Sequence, residues 1–324
     1  MPVTVGLDIV IVNWNAGEQL RRCLDSLATA ARGGFDLARV VIVDNASRDG
    51  SAEGLDYPAL PLSVLRNPRN EGFAAACNRG ASGSRADYLL FLNPDTELFA
   101  DSIATPVAFM ERAENRRTGI AGIQLVDENG VVSRSCARFP SLARCVSRAL
   151  GLSRLSPRLF PSYMMSEWDH GSSREVDHVS GAFFLVRRAP FENLGGFDER
   201  FFVYLEDLDF SYRMSLAGWR SSYVAEARAY HKGGGVSERA KAERLFLSIS
   251  SRVLYAVKHF SGVSAAALVL VTAVPEPVVR LCSSAAGGSF DDVAATARAY
   301  GMLYRALPRL VRGMSVNGSK RPNP

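Results

Sequence analysis

Apolar residues in the first half of this chain come in short unbroken runs, each closed by polar residues. Asp8 to Val12, Val40 to Val43, Ser63 to Leu65, Tyr88 to Leu92 and Ala121 to Leu125 are such runs. Aliphatic runs without alternation are the pattern of strands covered on both faces. Between them the period changes. Glu18 to Ala31 places Leu20, Leu24 and Leu27 at helical spacing, and Gly72 to Ala81 reads as a helix of small residues. Strand and helix alternate over roughly 100 residues, which predicts an α/β protein with a doubly wound, mostly parallel sheet and right-handed crossovers.

The residues that close the runs are alike. Asn13 and Asn15 follow the first, Asp44 and Asn45 the second, Asn67 and Asn70 the third, Asn93 and Asp95 the strand at Leu92. One such end is a turn signal. Four at one sheet edge make a polar crevice, at the edge where open α/β sheets bind ligands. Pro94 cannot continue a ladder, so the chain leaves the sheet there and sets the Asp95 carboxylate at that edge. In that place it suits a hard cation, which a diphosphate needs. Its plainer role is to cap a helix starting near Thr96. Neither GxGxxG nor GxxxxGK[ST] follows the first strand, which argues against a nicotinamide dehydrogenase or a P-loop enzyme and adds weight to the cation.

The second half is less regular. Ser133 to Asp177 is rich in Arg, Ser and Pro and reads as a long functional insertion. Val179 to Val186 returns to strand pattern. Phe201 to Trp219 then packs Glu206, Asp207 and Asp209 among Phe202, Tyr204, Leu205 and Phe210. Carboxylates at a helix start suit the macrodipole. Partial burial among apolar neighbours also raises a carboxyl pKa and prepares a general base. Val224 to Tyr230 is expected as a strand delivering His231 to the loop Gly233-Gly234-Gly235. Further on, Leu245, Ile249, Val253 and Val257 share a helical face beside Arg244, Arg252 and Lys258, a pattern suited to an anionic membrane surface or to packing. The longest apolar run, Val263 to Val274, is too short to span a bilayer unaided and suits an interfacial or a buried helix.

Charge sharpens this division. The net charge of +5 is uneven: from Arg239 onward 12 Lys and Arg face 4 Asp and Glu, while the preceding residues carry 26 against 29. A basic tail on a near-neutral body points to an anionic surface. It carries no recognition motif for nucleic acid, so no nucleic-acid partner is expected. The 5 cysteines are scattered without CxxC or zinc spacing, which suits a reducing compartment. No basic and apolar leader is visible at the N-terminus, so a cytoplasmic place is expected.

The segments IVIVNWN, VVIVDNASRDGS, RNEGFAAACNRG, YLLFLNPDTEL, VSGAFFLVRR, GGFDERFFVYLEDLDFSYRMSLAGW and AYHKGGGVS occur in one order from Asp8 to about Ser237. Together they resemble family 2 glycosyltransferases, inverting enzymes of the type A glycosyltransferase fold, and most of all the bacterial rhamnosyltransferase-like members. The resemblance implies a nucleotide-sugar-binding and catalytic domain over 1–238, with 133–177 a variable insertion near the acceptor, and a helical, basic extension over 239–324. It implies that Asp207 is the catalytic base and Glu206 its neighbour at the acceptor. Asp44 contacts the nucleotide base, with Asn70 and Asn78 near it and the ribose, and Asn13, Asn15 and Asn93 line the same crevice. Asp95 matches the last aspartate of the DxD metal motif, with Asn93 in place of the first acid, and His231 completes the metal or diphosphate contacts. Gly181 and Ala182 match a strand lining the sugar pocket. A divalent ion, Mg2+ or Mn2+, is the implied cofactor. The implied reaction moves a sugar, L-rhamnose from dTDP-L-rhamnose, to a glycan or lipid-linked saccharide in cell-surface polysaccharide assembly. A UDP- or GDP-hexose donor and an inactive nucleotide-sugar-binding scaffold remain the alternatives. Peripheral contact with the inner face of the plasma membrane through the extension, and a homo-oligomer, are compatible with the same reading.

Overall fold

The computed structural model describes residues 5–31, 33–156, 158–160, 162–233 and 241–316; Gly234 and Gly235 of the glycine loop lie outside them. The first elements are β1 (Gly6–Asn13), α1 (Glu18–Ala30), β2 (Asp36–Asp44), β3 (Leu62–Arg66), α2 (Phe73–Ala81), β4 (Tyr88–Leu92), β5 (Thr96–Leu98), α3 (Ala104–Glu111) and β6 (Thr118–Val126). Then come β7 (Cys136–Ala137), α4 (Leu142–Ala149), α5 (Leu152–Leu155), β8 (Arg174–Val176), β9 (His178–Val179), β10 (Phe183–Arg187), α6 (Arg188–Asn193), α7 (Glu206–Leu216) and β11 (Arg220–His231). The last are α8 (Lys241–His259), α9 (Gly262–Ala273), α10 (Pro275–Ala286) and α11 (Phe290–Leu310). Two compact units result. One holds the chain up to Arg138, Met164–Phe197 and the run from Asp207 through β11; the other holds Phe139–Tyr163, Asp198–Glu206 and the helices after β11.

The first unit is an α/β layer structure. Its 9-stranded sheet runs β3-β2-β1-β4-β10-β6-β11-β5, with β8 also paired to β11. β1 to β4, β6 and β11 run one way; β10, β5 and β8 run against them. The apolar runs supply both faces. Ile9, Ile11, Ile42, Leu90 and Leu92 enter one core with Leu20, Leu24 and Leu27 of α1. Val10, Val12, Val41, Val43 and Phe91 enter the other with the small residues of α2 and with Phe210 and Met214 of α7. The smallness of α2 has a steric cause: a Cβ on Gly80 would lie 2.4 Å from Val10 Cγ1. On that second face Phe91, Phe191, Phe197 and Phe210 form a cluster, with centroids 4.9 Å apart for Phe91–Phe197 and 5.4 Å for Phe197–Phe210. Such pairs add about 0.5–1.5 kcal/mol each beyond their buried area and tie α7 to the sheet.

Two expected elements differ. No helix starts near Thr96; Thr96–Leu98 is β5, paired with the end of β11. Nor is Val179 to Val186 one strand. His178–Val179 pairs with β7 in a separate sheet, and Phe183–Arg187 joins the main one. The break lies at Gly181, where an added Cβ would stand 2.7 Å from Asp207 Oδ2, so a side chain enters where a ladder would otherwise continue.

The second unit is helical. The face suited to a membrane surface or to packing, Leu245, Ile249, Val253 and Val257 on α8, packs against Tyr300, Leu303 and Leu310 of α11. Of the two expectations the second holds for this helix: the long α11 brings an apolar face of its own, and the two helices bury each other. Two of the neighbouring cations are also engaged. Arg252 is buried against Glu276 and Thr272, and Lys258 lies 2.7 Å from Asp198. Burial pushes the Asp198 carboxyl up, but Arg200 and Lys258 together hold it well below the usual range.

Candidate active site

The first polar strand ends meet in register. Asn13 closes β1 beside Asp44 at the end of β2. The buried Asn13 amide donates to Asp44 Oδ1 at 2.9 Å, with Ser47 Oγ and Ser51 Oγ at 3.0 and 2.9 Å. Its Oδ1 is buried and has no hydrogen-bond partner among the described residues. Asn15 takes a left-handed φ of 53° and accepts from Arg48 N at 2.7 Å, which binds the turn after β1 to the loop after β2. Asp49, not singled out in the sequence, locks that loop from the other side. Burial pushes its carboxyl up, but donors from Ser51 and Gly17 outweigh this and hold it below its ordinary value.

The other asparagines shape the walls. Asn70 Oδ1 accepts from Asn45 Nδ2 at 2.9 Å and from Gly72 N at 3.0 Å, just ahead of α2. Asn78 makes both bonds to the main chain of one residue: Nδ2 donates to Phe197 O at 2.8 Å and Phe197 N donates to Oδ1 at 2.9 Å. It thereby holds the Gly195-Gly196 loop, where a Cβ on Gly196 would lie 2.5 Å from the Asn78 amide oxygen.

At the centre of the edge, β4 ends and the chain passes through Asn93 to Asp95. Antiparallel pairing sets Leu92 opposite Phe183, so the residues just before β10 lie beside those just after β4. Asn93 N donates to Ala182 O at 3.0 Å, and Thr96 Oγ1 lies 3.4 Å from the same oxygen. β11 delivers His231 opposite Thr96, with Nε2 at 3.3 Å from Asp95 Oδ1. Asp95 and His231 therefore come together as expected.

Asp207 approaches the same strip from α7. Its Oδ2 accepts from Gly181 N at 2.8 Å and its Oδ1 from Leu208 N at 2.8 Å. Behind it, His178 Nε2 lies 3.6 Å from Oδ2. The three carboxylates of the acidic run separate into different places. Glu206 is buried at the first position of α7. Asp209 is fully buried and paired with Arg213 at 2.9 Å, and Arg213 reaches on to the carbonyls of Leu194 and Gly196, a packing role. The residues before α7, Tyr204 and Leu205, hold φ of 70° and 66°. Non-glycine residues in that region carry about 1–3 kcal/mol of strain each. No glycine marks the turn, so nothing local betrays it; His178 is likewise invisible in the sequence, because its neighbours in space are distant along the chain.

Gly181 and Ala182 thus join the two carboxylates: the first residue holds Asp207, the second holds the loop that bears Asp95. Among the described residues no three His, Cys, Asp or Glu side chains gather as a closed metal cage. One carboxylate and one imidazole, Asp95 and His231, fit a divalent ion of the Mn2+ type, with water and substrate phosphates to complete its shell.

A parallel-centred sheet with acid-bearing loops on one edge and a helix-borne carboxylate beside them defines a glycosyltransferase of the type A fold. The chain belongs to glycosyl transferase family 2, whose model matches residues 8–195, more than half its length. It is 31% identical over 269 residues to an N-acetylglucosaminyl-diphospho-decaprenol L-rhamnosyltransferase of Mycobacterium tuberculosis, covering 79% of this chain and 85% of that one. It is 33% identical over 148 residues to the rhamnosyltransferase WbbL of Escherichia coli, covering 45% of this chain and 52% of the other. In fold it is similar to the mannosyltransferase PcManGT of Pyrobaculum calidifontis, solved with GDP-Man and Mn2+, at a TM-score of 0.54 and 16% identity over 96% of this chain and 85% of that one.

Proposed function

We propose that this protein is an inverting transferase that moves L-rhamnose from dTDP-L-rhamnose to a hydroxyl of a lipid-linked saccharide in cell-surface polysaccharide assembly. The observation that carries the reading is the strip Gly181-Ala182, with Asp207 bonded to the first residue and the Asp95 loop to the second. Two carboxylates anchored on adjacent residues of one edge suit a single in-line displacement. The acceptor hydroxyl gives its proton to Asp207 as its oxygen attacks the anomeric carbon. The bond from that carbon to the diphosphate breaks on the far side, and its electron pair leaves with the diphosphate. Proton transfer to a positioned base is worth about 10²–10⁴-fold. Asp44 accepts from the nucleotide, and Asn13 holds Asp44 in place. A divalent ion held by Asp95 and His231 supplies charge neutralisation to the leaving group. The donor and the lipid acceptor are suggested by the names of the relatives.

The same reading puts the protein at the inner face of the membrane, with α9 and α10 as the contact. Gly262–Ala286 has the length and apolar composition of a membrane span. Yet Glu276 near its middle is fully buried against Arg252 and Arg280, which suits a segment lying on a bilayer instead of crossing it. Val263 and Leu270 are 83% and 63% exposed. The exposed residues Arg298, Arg305 and Arg309 recur along α11, with exposed Arg312 just beyond its end, and the Tyr304 hydroxyl joins this helix to Ala273 O at 2.7 Å. Apolar side chains beside a row of cations fit an anionic lipid surface.

The test is transfer from dTDP-L-rhamnose, with Mg2+ or Mn2+, to a polyprenyl diphosphate-linked N-acetylglucosamine. A rhamnosylated lipid of inverted anomeric configuration is expected. Transfer only from UDP- or GDP-hexoses would replace the donor, and silence with every donor would remove the enzyme reading.

A further inference from the structure

Asp207 does not stand alone. His178 lies in β9, the short strand left over where the predicted strand breaks, and its imidazole is buried behind the carboxylate. One ring nitrogen, Nε2, faces Asp207 Oδ2 at 3.6 Å; the other, Nδ1, is 3.0 Å from Ser211 Oγ. Ser211 sits one turn further along α7, and its Oγ is 2.9 Å from the carbonyl of Asp207 itself. The result is a closed ring: carboxylate, imidazole, hydroxyl, and the main chain of the residue bearing the carboxylate.

We infer that His178 is a positioning residue whose neutral imidazole, relayed through Ser211, supports Asp207 both before and after it takes the acceptor proton. The inference rests on the reading of Asp207 as the base. A neutral imidazole carries one N–H, and the ring offers two places for it. With the proton on Nε2, the ring presents its N–H to the ionised carboxylate while Nδ1 accepts from the Ser211 hydroxyl. When the acceptor O–H bond breaks, its proton passes to a carboxyl oxygen of Asp207. The ring keeps its Nε2 proton, which still faces the carboxyl group, and Ser211 still holds Nδ1. No proton leaves the imidazole and no charge is created on it.

The surroundings favour the neutral ring. Burial holds His178 below the usual imidazole range, against the opposing pull of Asp207 and of its chain neighbour Asp177. On the paired strand β7, burial pushes the Cys136 thiol up to about 12, so it brings no charge. On α7, Glu206 flanks the base, and Asp209 is neutralised by Arg213. The adjoining Gly181 N donates to the same Oδ2 from the backbone, so the imidazole and this peptide N–H meet the carboxylate together.

The test is the pH profile of kcat for His178→Phe, Ser211→Ala and the double variant, with Asp207→Asn as control. His178→Phe is expected to lower kcat roughly 10–100-fold, the cost common to losing an outer partner of a working group. It should also move the acid limb to higher pH, since the N–H that faces the carboxylate at 3.6 Å is lost, with donor KM nearly unchanged. His178→Gln, which keeps a hydrogen-bonding head group, should recover part of the loss. Ser211→Ala should act in the same direction but less, and the double variant should be no worse than His178→Phe. A folded His178→Phe enzyme with wild-type kcat, or with lowered kcat and an unmoved acid limb, overturns the inference while Asp207 keeps its role. Full turnover by Asp207→Asn removes both. If His178→Phe does not fold, the limb shift of Ser211→Ala decides alone.

Discussion

The sheet edge carries two Asp–His pairs, and they are built inside out with respect to one another. In the pair at Asp95 the imidazole is the more exposed partner, 17% against 8% for the carboxylate. In the pair at Asp207 the order reverses, 8% for the imidazole and 17% for the carboxylate. A histidine at the surface of its pair has a nitrogen to offer a ligand; a histidine behind its pair can act only through the carboxylate. The same two residue types therefore suit two tasks, charge neutralisation at the leaving group and proton removal at the acceptor. Depth in the fold, not residue type, assigns them.

The comparison breaks most sharply at its bases. Asp207→Asn should reduce kcat by about 10²–10⁴-fold and leave the melting-temperature rise caused by the donor nucleotide intact. An active Asp207→Asn enzyme would leave the second pair without a purpose. Gly181→Ala tests the geometry of that pair without touching its chemistry. The new Cβ would stand 2.7 Å from Oδ2, so the carboxylate must move. A displacement of that order is expected to cost roughly 10²-fold in turnover with little change in melting temperature.

The first pair should answer to metal instead. His231→Ala is expected to raise the Mg2+ or Mn2+ concentration for half-maximal rate by roughly 10–100-fold, and excess chelator should silence the native enzyme. His178→Phe should leave that concentration where it is. Equal metal dependence in the two variants would mean that the burial reversal has no functional content.

Much of this edge was legible in the sequence, and the reasons it was so are local. An apolar run that stops at Asn93-Pro94-Asp95 must leave the sheet there, because proline has no N–H for the ladder. β1, β2, β4 and β6 were equally readable, since burial on both faces removes alternation and leaves an unbroken run; β3, at the sheet edge, has no fully buried residue and gave the weaker signal of Val64 and Leu65. The misses have another cause. The break at Gly181 exists to admit a side chain 26 positions away. Ile249 and Val253 look amphipathic in isolation, but α11 covers them. Asp209 resembles Asp207 until Arg213 claims it. The first two depend on partners far off in sequence, while the third is an i,i+4 pair whose burial comes from the fold around α7.

The membrane contact gives a smaller effect that lies apart from both pairs. Val263→Ser with Leu270→Ser should weaken flotation with phosphatidylglycerol vesicles several-fold and leave turnover on a water-soluble acceptor unchanged. Undiminished flotation, or a dimer that dissociates in the double variant, would reassign that face.

The smallest expected effect concerns stability and the inner pair alone. Burial lowers His178 in the folded protein from an ordinary value of 6.5, and His170 is lowered for the same first reason. The unfolded chain then binds more protons than the folded one as pH falls through that value. Their contribution is complete above pH 6.5 and is lost progressively as the solution is acidified toward the folded values. Melting temperature should therefore be level from neutral pH upward and decline below it. The decline should be shallower in His178→Phe, which carries no imidazole to protonate. A decline equally steep in His178→Phe would mean that this imidazole is not held neutral by burial, and its place behind the Asp207 carboxylate would be wrong.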